Sequence, residues 1–193
     1  MSFILKILSE EGCLGKRERL LEILRRKAVQ RGSFRLASGA MSDYYIDCRL
    51  VTLDPEGASL LGEIFSDLAI SLGATAVAGL TLGADPLVVA AGLTAYQRKK
   101  PLKMALVRKE PKSHGQKRRI EGPSFDQKDR VLILEDVATT GASALTAVDA
   151  VKDEFNCEIV AVVAVVNRNE GAKQAIEGRG IKFIALFEKE ELL

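Results

Sequence analysis

Residues 131–144, Val-Leu-Ile-Leu-Glu-Asp-Val-Ala-Thr-Thr-Gly-Ala-Ser-Ala, constrain this chain more than any other stretch. Four apolar residues run into two adjacent acids, then a small hydroxyl-rich turn, then an apolar-periodic stretch from Ala144 to Val151. The order reads as a buried strand, a carboxylate pair, an anion-binding loop and a helix start. Amides left unpaired at a helix N-terminus, together with the helix dipole, suit a phosphate group. Glu135 and Asp136 do not suit phosphate, because like charges repel. They suit a sugar diol, since an ionised carboxylate only accepts hydrogen bonds and two hydroxyls donate them. A site with a diol end and a phosphate end describes a ribose 5-phosphate. The stretch is not a Walker A loop, because no Gly-Lys-[Ser/Thr] follows the strand, and G-x-G-x-x-G is absent from the chain.

Around this segment the pattern alternates. Strands are expected at 75–79, 103–107, 130–135, 158–166 and 181–187, with helices at 55–71, 84–98, 141–154 and 171–177. Such alternation predicts an α/β fold with a mostly parallel central sheet and helices on both faces. Ile159–Val166 is apolar throughout, as a central parallel strand should be. Ligands in such sheets bind at the carboxyl ends of the strands, where the acid pair is expected. Before the sheet, residues 3–30 read as helical, with a break near Gly12 and Gly15 and an end at Gly32. Leu20, Leu21, Leu24 and Val29 form its core stripe, and Arg17, Arg19, Arg25, Arg26 and Lys27 its solvated face. Strands at 34–36 and 44–47 would form a small N-terminal hood. The 193 residues fit a single domain, with helices and hood over about 1–53 and the core over about 54–193.

Composition excludes several classes. At 47% apolar and 28% charged the chain is not disordered, and a net charge of +2 does not point to nucleic acid. No apolar run approaches the ~20 residues that span a bilayer. With no secretory pattern, and with Cys13, Cys48 and Cys157 scattered, the chain is expected to be cytoplasmic, without disulfide or zinc.

The 131–144 segment resembles the phosphoribosyl pyrophosphate (PRPP) signature of type I phosphoribosyltransferases. The resemblance implies that Glu135 and Asp136 hold the ribose 2′ and 3′ hydroxyls, that Thr139, Thr140, Gly141, Ala142 and Ser143 wrap the 5′-phosphate, and that Val137 and Ala138 also belong to the PRPP site. A second motif narrows the family. Residues 108–122 hold seven cationic or titratable side chains, Arg108, Lys109, Lys112, His114, Lys117, Arg118 and Arg119, without apolar periodicity. An exposed cationic loop suits a highly charged leaving group. The spacing Arg108-Lys109-x-x-Lys112-x-His114, then Ile120-Glu121-Gly122, resembles the catalytic loop of orotate phosphoribosyltransferases. His114 is the sole histidine, and its ordinary pKa of about 6.5 lets it donate to pyrophosphate.

Ser38-Gly39-x-x-Ser42-Asp43-Tyr44-Tyr45-Ile46-Asp47 resembles the same family's substrate segment, with the tyrosines near the pyrimidine. Family members often carry lysine where Ala37 stands. Gly79–Pro86 matches the turn that meets pyrophosphate, but Leu82-Gly83 replaces a frequent Tyr-Lys pair, so backbone amides must serve. Asp85 is expected either to cap the next helix or to orient a metal-bound water. Arg168 occupies the place of the arginine that pairs with the orotate carboxylate, and Thr139 would share in holding orotate. A planar guanidinium fits a carboxylate with two parallel bonds.

The resemblance implies transfer of ribose 5-phosphate from PRPP to orotate, giving orotidine 5′-monophosphate and pyrophosphate. Arg108, Lys112, His114 and Asp136 are the implied catalytic residues. Mg²⁺ is the implied cofactor, held mainly by PRPP and water, and the family typically forms a homodimer with shared sites. Two alternatives stand beside this reading: a phosphoribosyltransferase for another base, and a PRPP-binding regulator without catalysis.

Overall fold

A computed structural model of the chain describes residues 11–35, 39, 41–111 and 118–193, the side chains of 11–14 excepted. The central sheet has six strands. In chain order they are β3 (Ala76–Leu80), β4 (Lys103–Val107), β5 (Ile120–Glu121), β6 (Arg130–Ala138), β7 (Glu158–Asn167) and β8 (Phe183–Glu188). They lie in the order β5-β4-β3-β6-β7-β8. All neighbouring pairs are parallel except β5, which runs antiparallel to β4 at one edge. The expected α/β architecture is therefore present.

Successive strand residues face opposite sides of a sheet, so each side carries its own core. On one face Val77, Leu132, Leu134 and Val163 pack with three helices: α1 (Glu11–Lys27), α3 (Pro55–Ser71) and α4 (Asp85–Gln97). On the other, Ala76, Ala78, Ile133 and Val162 pack with α5 (Ala142–Phe155) and α6 (Ala172–Glu177). From Ala161 to Asn167 every residue of β7 is buried, which accounts for its unbroken apolar sequence. Short helices α2 (Arg49–Thr52) and α7 (Lys189–Leu192) lay outside the sequence expectation.

The hood is a two-stranded antiparallel hairpin, β1 (Val29–Arg35) and β2 (Met41–Ile46). It corrects the sequence reading at α1, which ends at Lys27 rather than Gly32. Val29 and Gly32 belong to β1, because the Val29↔Ile46 pairing takes the backbone into a ladder. No break occurs at Gly12 or Gly15, both inside α1. The supposed solvated face of α1 is largely paired. Arg17 lies 4.5 Å over the Phe187 ring, donates to the Leu186 carbonyl and pairs with Glu191. Arg19 makes two bonds to Glu56, and Lys27 pairs with Asp54, the N-cap of α3. These pairs tie the N-terminal helix to α3 and to the end of the chain.

Candidate active site

The strand order makes one crevice. From β3 the chain passes to β4 on one side of the sheet and later returns to β6 on the other. Crevices at such a reversal, at the carboxyl ends of the strands, are where open α/β sheets bind ligands. Here β6 extends past its neighbour: Gly79 pairs with Leu134, β3 ends at Leu80, and β6 continues to Ala138 beside β7. Beyond Leu134 the β3 side of β6 is thus open. A cleft of about 360 Å³ lies there.

Strand β6 runs three residues further than the sequence reading gave it, because β7 continues alongside and pairs Val137 with Val166 and Ala138 with Asn167. Glu135 and Asp136 are therefore strand residues with their backbone held, not members of a loop. Both line the cleft. Asp136 is half-buried and accepts from the Val137 amide at 2.8 Å. Glu135 is only 6% exposed. Burial, then the charge of Asp136 and a hydrogen bond with it, push the Glu135 carboxyl up to about 8. Burial and the charge of Asp136 thus favour a proton on Glu135 in the ligand-free chain, where the sequence reading takes both acids as ionised.

The turn after β6 is shaped for an anion. Gly141 precedes α5 with φ +84°, a left-handed conformation that favours glycine, and no side chain caps the helix. The first amides of α5 therefore lack an internal partner. Val137, Ala138, Thr139, Thr140, Gly141, Ala142 and Ser143 surround a small pocket of about 60 Å³, open beside Glu135. The turn is tied to its neighbour after β7: Arg168 N–H donates to the Ala138 carbonyl at 2.9 Å, and Ala172 N–H to the Thr139 carbonyl at 3.1 Å. Thr139 and Arg168 are thereby fixed relative to one another, and both line the larger cleft.

Arg168 is mostly buried, pairs with Glu170 at 2.7 Å, and lies 5.7 Å over the Tyr44 ring. Its Nε is buried and has no hydrogen-bond partner among the described residues. An unpartnered donor on a buried guanidinium suits a planar anion. Tyr45 lines the cleft beside Phe34, at 5.7 Å between ring centroids, while Tyr44 packs toward the core.

The Thr81–Gly83 turn forms the opposite wall. It contains a cis peptide between Thr81 and Leu82. A Cβ on Gly83 would stand 2.5 Å from Asp136 Oδ1, so only glycine lets the turn approach the acid. Thr81, Ala84 and Asp85 spend their amides on backbone carbonyls. Asp85 is not a cap, which corrects one of its two expected roles. The N-cap is Ala84, and Asp85 is the first helical residue, with a buried Oδ1 lacking a partner among the described residues.

Of the cationic loop, Lys109 lines the cleft. Arg108 stands at its stem, 3.4 Å from Glu121, and outside the cleft lining. Its amide pairs with the Arg119 carbonyl, and the Arg119 guanidinium returns bonds to the Arg108 and Lys109 carbonyls. The stretch read as one long loop thus contains strand β5. Lys112, His114 and Ala37 lie outside the described residues. Asp47, the last residue of the substrate segment, lines the cleft, and so do Cys48 and Arg49, to which the sequence reading gives no role. An Asp-x-Arg at the end of a hood strand was their only signal. Cys48 is fully buried, and burial raises its thiol well above the usual range. Among the described residues no three His, Cys, Asp or Glu side chains gather as a metal cage, and no helix is long and apolar enough to cross a membrane.

No family model matches the chain. Its relatives are nevertheless clear. It is 42% identical over 181 residues to the orotate phosphoribosyltransferase of Aquifex aeolicus strain VF5, covering 92% of this chain and 98% of that protein. The chain belongs to the orotate phosphoribosyltransferase family. Solved structures of the family agree. The Mycobacterium tuberculosis H37Rv orotate phosphoribosyltransferase in complex with Fe(III) dicitrate superposes with a TM-score of 0.81 at 40% identity. The same enzyme in complex with PRPP superposes with a TM-score of 0.77 at 37% identity. Both comparisons cover 92% of this chain and 98% of the other.

Proposed function

We propose that the chain transfers ribose 5-phosphate from PRPP to orotate, as a cytoplasmic enzyme of pyrimidine biosynthesis. One observation carries the reading: an acid pair of which Glu135 is buried, the turn into an uncapped helix and a mostly buried arginine line one crevice. Family membership and the PRPP complex of a relative support it.

In the reaction the bond between ribose C1 and pyrophosphate oxygen breaks, and one from C1 to an orotate ring nitrogen forms. Positive charge develops on the sugar and negative charge on the departing pyrophosphate. Residues 137–143 anchor the 5′-phosphate, and that remote binding positions C1. Asp136 and Glu135 hold the diol and face the developing sugar charge. Arg168 and Thr139 orient orotate, with Tyr45 beside the ring and Tyr44 supporting Arg168 from below. Arg108, Lys109, Lys112 and His114 stabilise the leaving group. Mg²⁺, held mainly by PRPP and water with Asp136 and Glu135 nearby, would neutralise charge on the pyrophosphate.

We infer that the protein works as a homodimer. Leu53, Val89, Leu93 and Tyr96 are 72%, 53%, 54% and 71% exposed. The first three line an apolar groove of about 480 Å³ between α4 and the start of α3. Exposed apolar patches of this kind mark contact surfaces. Lys109 borders the cleft of its own chain, and sharing of the loop between sites is tested by mixing inactive Lys112→Ala and Asp136→Asn dimers. Partial recovery supports shared sites, and none despite subunit exchange argues against them.

The activity is tested by following orotate absorbance with PRPP and Mg²⁺, then substituting uracil or adenine. Orotate should be consumed, and only with Mg²⁺ present. Turnover of another base instead would make this a different phosphoribosyltransferase. PRPP binding without any turnover would make it a regulator.

A further inference from the structure

The cleft holds one charged pair that this mechanism does not use. Asp47 closes the hood strand β2, and Arg49 opens the short helix α2. Arg49 Nε donates to Asp47 Oδ1 and an Arg49 terminal nitrogen to Oδ2, both at 2.9 Å, a fork-to-fork pairing. The Arg49 backbone amide also donates to Asp47 Oδ1 at 3.0 Å, so the acid is gripped three times. These bonds hold the Asp47 carboxyl below the usual carboxylate range. Both residues line the cleft.

A guanidinium has five N–H donors, and the fork uses two of them. Three remain on a side chain whose orientation Asp47 has fixed, so little rotamer freedom is left to lose when an anion arrives. The cleft wall carries three cations among the described residues: Arg49, Lys109 and Arg168. Arg168 is committed to Glu170 and the Tyr44 face. Lys109 stands at the loop stem. Arg49 is anchored by its fork to Asp47, keeps donors beyond that fork, and has no part in holding orotate, the role given to Arg168. Asp136 lies near enough for its charge to act on both Arg49 and Cys48, and a Cβ on Gly83 of the facing turn would meet it. Arg49 lines the same cleft as Leu82, Gly83 and Lys109 and is not among the residues of the 137–143 pocket.

We propose that Arg49, fixed by Asp47, grips the pyrophosphate group of PRPP and retains it as the leaving group departs. This rests on the phosphoribosyltransferase reading and adds a scaffold-borne cation to the loop-borne ones. It also supplies positive charge to a cleft wall where the turn offers Leu82 and Gly83 rather than a basic side chain.

The test uses the full chain in wild-type, Arg49→Gln, Arg49→Lys and Asp47→Asn forms. Three quantities are read: KM for PRPP, KM for orotate, and inhibition by inorganic pyrophosphate, with thermal melting as a control for folding. Arg49→Gln should raise the PRPP KM and weaken pyrophosphate inhibition by about tenfold, as for one charge-assisted bond, and leave the orotate KM within about twofold. Arg49→Lys should recover part of the loss, because charge returns without the fork. Asp47→Asn should fall between wild type and Arg49→Gln. Unchanged PRPP KM and pyrophosphate inhibition in a folded Arg49→Gln protein would overturn the proposal. So would a lowered melting temperature with all constants intact, which would make the pair purely structural. Wild-type protein inactive on orotate would instead overturn the parent reading, and the two failures are distinct.

Discussion

The two sides of the cleft are built from different material. The sugar side belongs to β6, where Glu135 is almost fully buried, the backbone is held by β7, and the next turn is laced to Arg168 and Ala172. The leaving-group side hangs from the edge of the sheet, where β5 is two residues long, Arg108 and Lys109 are exposed and Arg119 is partly exposed. The difference teaches how the charges are tuned. A carboxylate inside the scaffold has its proton affinity set by burial and its neighbour. Cations at an exposed edge keep their charge under any packing, but screening weakens them. Groups that must meet a fixed ribose belong on the rigid side, and groups that must meet and release an anion belong on the open one.

The largest expected effect breaks the rigid side. Asp136→Asn keeps shape but removes the charge facing the sugar, and should lower kcat/KM for PRPP by at least about a hundredfold with little change in melting temperature. Gly83→Ala tests the same side from the opposite wall. Its Cβ would force the turn off Asp136, so about a tenfold rise in PRPP KM is expected. An unchanged KM would mean that the approach of the turn to the acid is irrelevant.

On the open side, Lys109→Ala should raise PRPP KM by less than about tenfold. The deficit should shrink as salt rises, because the interaction lost is a screened one. A deficit independent of salt would place Lys109 in the buried class instead.

The smallest effect concerns protons. Folding raises Glu135 from the usual 4.5 to about 8, so the folded chain binds that proton more tightly than the unfolded one. Its stabilising contribution is complete below about pH 4.5 and is lost as pH rises through 8. The melting temperature of the ligand-free protein should therefore fall between pH 6 and pH 9 by about 5 °C or more beyond that of Glu135→Gln. Parallel curves for the two proteins would show that Glu135 titrates normally.

The same contrast explains what could be read from sequence. Periodicity and the run Ile159–Val166 announced the parallel sheet, because burial on both faces leaves a continuous apolar record. The motif at 131–144 announced the cradle, because few residue types can hold a diol and a phosphate together. Strand ends were misjudged where a neighbour extends the ladder, as for β6, or where a hairpin takes over from a helix, as at Val29. The pairing of Asp47 with Arg49 went unread because it depends on where the hood meets the core, which no local pattern encodes. The protonated state of Glu135 was equally hidden, since burial is a tertiary property. Lys112 and His114 rest on the motif alone.

The central claim is a division of labour between a sugar site carried by β6 and a separate leaving-group site, in which exposed edge cations work beside Arg49. Calorimetric titration of ribose 5-phosphate and of inorganic pyrophosphate, separately, into wild type, Asp136→Asn and Lys109→Ala tests it most directly. The expected result is that Asp136→Asn weakens ribose 5-phosphate and keeps pyrophosphate, while Lys109→Ala weakens pyrophosphate by less than about tenfold and keeps ribose 5-phosphate. Equal weakening of both ligands in both variants would contradict it.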